Sequence, residues 1–134
     1  MVTVTARRRE GYTHDVEIEG GHRMVIDEPA DSGGADEGPS PTRALAAALA
    51  ACTAITVEMY AGRKEWPLDD VEVEVQMEYG RPSQPKAFTV TLRLPKELSS
   101  DQQERLKVIA GKCPVHQALR QETPVTIEDR VELV

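Results

Sequence analysis

Residues 40–63 read SPTRALAAALAACTAITVEMYAGR, and this stretch decides the fold. Ser40 offers a hydroxyl to free amide groups, and Pro41 suits the first helical position, so a helix starts here. Nothing interrupts it before Gly62, and Pro67 stands beyond its end. A helix over 41–63 is about 34 Å long. Seven alanines lie from Ala44 to Ala54, so another element can approach the backbone closely, and the helix reads as central rather than peripheral. It is too long and too apolar to be covered by a chain of 134 residues with only 4% aromatics. A second copy of the chain is the expected source of the missing cover, as a homodimer.

Upstream, residues 2–8 and 12–18 alternate as strands joined around Gly11, and Gly20-Gly21 turns the chain into a third strand over 22–26. Residues 27–40 (DEPADSGGADEGPS) are acidic, small and rich in Gly and Pro, which predicts a loop. Downstream, 71–79 (VEVEVQMEY) and 88–94 (FTVTLRL) alternate as half-buried antiparallel strands around a turn at Arg81-Pro82. Ser99 or Ser100 caps a second helix to about 110, ended by Gly111. Pro114 opens a short third helix to about 121, and 125–133 reads as a closing strand. The order β-β-β-α-β-β-α-α-β is α+β rather than doubly wound, in a single domain over 1–134.

Charge and composition narrow the function. A net charge of −7, with Arg7, Arg8 and Arg9 as the only basic cluster, argues against nucleic acid as a partner. No apolar run approaches the ~20 residues that span a bilayer, so no membrane association is expected. In MVTVTARRRE the arginines follow the apolar stretch, the reverse of a signal peptide, and the expected location is the cytoplasm. Two cysteines in that reducing compartment are not a permanent staple.

The chemistry therefore rests on Cys52 and Cys113. On a regular helix Cys52 shares a face with Leu45, Leu49, Thr56 and Met59, which suits a packed core cysteine as well as a reactive one. Cys113, in GKCPVH, stands at the N-cap of the third helix, where free amides and the helix dipole favour a thiolate. His116 can add positive charge there. On these local grounds Cys113 is the more acidic thiol. Cys113 and His116 have a C-x-x-H spacing with Cys52 as a conceivable third ligand, but structural zinc takes four ligands in two close pairs, and His14 and His22 lie far off in sequence. No metal is expected. No G-x-S-x-G or H-E-x-x-H motif is present, and Gly33, Gly34 and Gly38 do not follow a parallel strand in dinucleotide-binding spacing, so no cofactor is expected.

Taken together, the run from Asp27 to Leu68, the later KCPVHQAL, and the roughly sixty residues between the cysteines resemble the OsmC/Ohr family of osmotically inducible and organic hydroperoxide resistance proteins. The resemblance implies an intertwined homodimer with the cysteine helices at its centre. It implies a thiol-dependent peroxidase in which Cys52 attacks an organic hydroperoxide and Cys113 resolves the sulfenic acid as a disulfide, with a dithiol reductant such as a lipoyl group closing the cycle. It also implies an activating arginine from the N-terminal strands, for which Arg9 in RREGY fits, with Arg7, Arg8 and Arg23 as alternatives. In the peroxidase branches a glutamate after the helix-starting proline holds that arginine. Here the position is Thr42, followed by Arg43, which lies about 180° around the helix from Cys52. That departure keeps a second expectation open, a non-catalytic dimer of the same fold that binds an apolar ligand or senses redox state.

Overall fold

The computed structural model describes residues 1–134. Gly11, at φ 55°, turns β1 (Val4–Glu10) into β2 (Thr13–Ile18), and Gly20 and Gly21, at φ 104° and 90°, turn β2 into β3 (His22–Ile26). The three form an antiparallel sheet in the order β1-β2-β3, paired through Arg7↔Asp15 and Val16↔Met24, with a register shift between Arg8 and Glu10. The helix expected over 41–63 is α1 (Pro41–Arg63). The later hairpin is β4 (Glu72–Tyr79) and β5 (Pro85–Arg93), closed by the Gly80 amide donating to the Gln84 carbonyl at 2.7 Å. Two helices follow, α2 (Ser100–Ala110) and α3 (Pro114–Leu119). The α+β class and its antiparallel sheets are as expected.

The chain divides into two compact units, Met1–Ala47 with Met77–Phe88, and Ala48–Gln76 with Thr89–Val134. In the first, the acidic loop is ordered by one side chain. Asp27, almost fully buried, accepts from Thr13 Oγ1 at 2.7 Å and from the amides of Glu28, Ala35 and Glu37 at 2.7, 3.5 and 3.2 Å. These bonds hold its carboxyl below the usual range, the Thr13 bond most strongly. A short 3-10 turn at Ala30–Ser32 lies inside the loop, and Gly34 must be glycine because a Cβ there would overlap the Glu28 carbonyl.

In the second unit, Leu49, Thr53, Val57 and Ala61 form the buried stripe of α1. Val57 and Ala61 pack with Leu98, Leu106 and Ala110, and Tyr60, Trp66, Leu68, Leu92 and Leu94 close around them. Ser99 starts α2 with a reciprocal capping box, its Oγ accepting from the Gln102 amide at 3.1 Å and its amide donating to Gln102 Oε1 at 2.8 Å.

Three expectations are corrected. Residues 125–133 form no strand: a strand needs a paired edge, no strand of this chain runs beside them, and Val125, Ile127, Val131 and Leu133 are exposed. The third helix stops at Leu119 instead of about 121, with Gln121 in the left-handed region at φ 59°. By length and composition α1 does reach the requirement for crossing a membrane, because scattered polar residues in it break the apolar run without removing its apolar character.

Candidate active site

Cys52 lies on α1 beside the buried stripe rather than within it, and is half-buried. Met59, placed on its face by helical spacing, is 60% exposed, so Cys52 borders an open apolar flank instead of a sealed core. Cys113 is fully buried and occupies the N-cap of α3, with Pro114 at the first helical position. That position follows from its sequence, since Gly111 ends α2 with its amide bonded to the Val108 carbonyl at 3.2 Å, and Pro114 can only restart a helix.

Both thiols are free of any disulfide and both belong to the second unit, although sixty residues separate them. Burial pushes the Cys113 thiol up, and the neighbouring Cys52 pushes it up further through hydrogen bonding and charge. The amides of His116 and Val115 act in the opposite direction but make no capping hydrogen bond to Sγ. The expected low pKa of Cys113 is therefore overturned. The dipole of a six-residue helix is real, but desolvation in a closed site and a second sulfur outweigh it.

Arg9 stands on β1 in the first unit. Its Nε donates to Asp15 Oδ2 at 3.1 Å, and Nη2 bonds Asp15 Oδ1. Asp15 raises Arg9, and Arg9 in turn holds the Asp15 carboxyl down. Arg9 borders a hollow of about 340 Å³ lined also by Tyr12, Gly33, Gly34 and Glu37. The alternative arginines are engaged elsewhere: Arg7 and Arg23 pair with Glu17 at 3.2 and 3.8 Å, and Arg8 donates to the Gly11 carbonyl at 2.9 Å. Thr42, at the position after the helix-starting proline, shares a 2.8 Å hydrogen bond with the Tyr79 hydroxyl. Asp15 is thus the carboxylate that orients Arg9, a residue the sequence reading missed. The signal was the hairpin register: with Arg7 opposite Asp15, Arg9 two residues on is the diagonal neighbour of Asp15. No group of three metal-ligating side chains forms around Cys113 and His116.

The family model for OsmC-like proteins matches residues 33–128, most of the chain and both cysteines. The chain belongs to the OsmC-like protein family. No curated protein matches it. Among solved structures it is similar to the proposed osmotic stress and detoxification response protein of Psychrobacter arcticus (22% identity, TM-score 0.80, covering 88% of each chain). It is also similar to the organic hydroperoxide resistance protein OsmC of Legionella pneumophila, at 24% identity and TM-score 0.62, with 90% of each chain covered. The organic hydroperoxide resistance protein of Bacillus subtilis is 26% identical with TM-score 0.60, over 90% of this OsmC-like chain and 91% of its own.

Proposed function

We propose that this OsmC-like protein, as one domain, is a two-cysteine thiol peroxidase that reduces organic hydroperoxides. The observation that carries the reading is two free thiols in one compact unit, one half-buried beside apolar surface and one fully buried, pushed up first by that burial and then by the other sulfur. The Cys52 thiolate attacks the terminal oxygen of the peroxide, the O–O bond breaks, and the alkoxide leaves as an alcohol. Cys113 then attacks the Cys52 sulfenic acid, releasing water and forming a disulfide before further oxidation can occur. A dithiol reductant, of lipoyl type in this reading, returns both thiols by exchange.

In this reading the positive charge that a thiolate in an apolar setting requires comes from Arg9, the role the family resemblance implies, and within its own unit that guanidinium is fixed by Asp15. The exposed Ile55 and Met59 on α1 support a homodimer in which a second copy covers that flank. The site of action in this reading is the cytoplasm. One observation favours the non-catalytic alternative, an apolar-ligand or redox-sensing dimer: Thr42 is bonded to Tyr79 where peroxidase relatives would hold an arginine. The deciding experiment follows peroxide loss by fully reduced protein supplied with a dithiol. An alkyl hydroperoxide is expected to be consumed faster than hydrogen peroxide; no turnover of either removes the peroxidase reading.

A further inference from the structure

The imidazole of His116 has no part in the chemistry above, yet its Nδ1 is buried with no hydrogen-bond partner. Buried polar atoms are almost always paired, and one left unpaired in a native structure calls for a role. His116 is the third residue of α3, whose N-cap is Cys113. N-cap and third position both lie in the first turn of the helix, so the ring and the Cys113 thiol belong to one turn. The His116 amide is among the groups that act on the Cys113 sulfur.

In the reduced protein Cys113 interacts with Cys52. Once Cys52 carries a sulfenic acid, Cys113 must give up its proton to attack it, and a base beside Cys113 is needed to take that proton. From this placement we propose that His116 Nδ1 accepts the Cys113 proton in the resolving step. The inference rests on the two-thiol reading and deepens it by adding a catalytic residue.

The step balances. The Cys113 sulfur attacks the Cys52 sulfur as the S–O bond breaks, and the Cys113 proton passes to Nδ1 and then to the departing hydroxide, which leaves as water. One S–S bond replaces one S–H and one S–O bond. The Cys52 sulfur is reduced while the Cys113 sulfur is oxidised, and the imidazole ends as it began. Nδ1 can accept only when the neutral ring carries its proton on Nε2.

The test needs no peroxide. Reduced protein treated with dithiobis-nitrobenzoate takes a thionitrobenzoate group onto half-buried Cys52 as a mixed disulfide, releasing one equivalent of the coloured thiolate. Attack by Cys113 on that mixed disulfide releases a second, without hydroxide as leaving group. In His116→Ala and in His116→Gln, which keeps much of the ring's bulk, the second release is expected to slow about a hundredfold. Imidazole in the buffer should accelerate the alanine variant. Wild-type rates in either variant, no response to imidazole, or no second release from the wild-type protein overturns the assignment. A protein that shows the second release, with its dependence on His116, but consumes no hydroperoxide refutes the proposed function and leaves this assignment standing.

Discussion

Leu106 is fully buried on α2 against Val57, Ala61 and Leu98, and Leu106→Ala tests whether this cluster holds the segment that presents Cys113. Three methyl-sized groups leave the core, each worth about 0.8 kcal/mol of burial. The cavity left behind adds to that, and the expected loss is about 3–4 kcal/mol, inside the range of ~2–5 kcal/mol for such truncations. Val108→Ala is the internal control, because Val108 lies two residues along the same helix and is 53% exposed. Its expected cost is below about 0.5 kcal/mol. Urea unfolding of the reduced protein, at one fixed concentration so that any association is held constant, measures both. With a slope of about 2 kcal/mol/M, Leu106→Ala lowers the midpoint by about 1.5–2 M while Val108→Ala leaves it nearly in place. Equal shifts in the two variants, or a loss under about 1 kcal/mol for Leu106→Ala, would refute the assigned core.

The raised Cys113 thiol predicts a pH dependence on the alkaline side. Its folded pKa lies above the unfolded value of about 8.5, so its contribution to stability is complete below that pH and is lost as pH rises through the folded pKa. Reduced wild-type protein should weaken above about pH 8.5 more steeply than Cys113→Ser, and parallel curves contradict the assignment. Ile55, 54% exposed on α1, should sit in the contact between two copies, so Ile55→Lys is expected to shift a dimer toward monomer in sedimentation analysis. A wild-type protein that sediments as a folded monomer at micromolar concentration removes that account.

What could be read from the sequence was local chemistry. Ser40, Pro41 and the alanine run set α1 to its observed ends, because helix starts are encoded within a few residues of themselves. Ser99 with Gln102, and Cys113 with Pro114, were legible for the same reason. The acidity of Cys113 was not, since its sign depends on burial and on a sulfur sixty residues away in sequence. Asp15 was hidden because the pairing register of the hairpin decides which carboxylate Arg9 meets. Asp27 looked like one more loop acid, whereas its four hydrogen bonds order that loop. The alternation in 125–133 was genuine strand patterning, but pattern alone does not supply an edge to pair with.

The central claim is that Cys52 attacks and Cys113 resolves, and mass spectrometry of two variants after one equivalent of an alkyl hydroperoxide tests it most directly. In Cys113→Ser, Cys52 should gain one oxygen and over-oxidise with excess peroxide, because no thiol captures the sulfenic acid. In Cys52→Ser, Cys113 should remain unmodified, buried and raised as it is. An oxygen adduct on Cys113 in the Cys52→Ser protein, with none on Cys52 in its counterpart, would contradict the account.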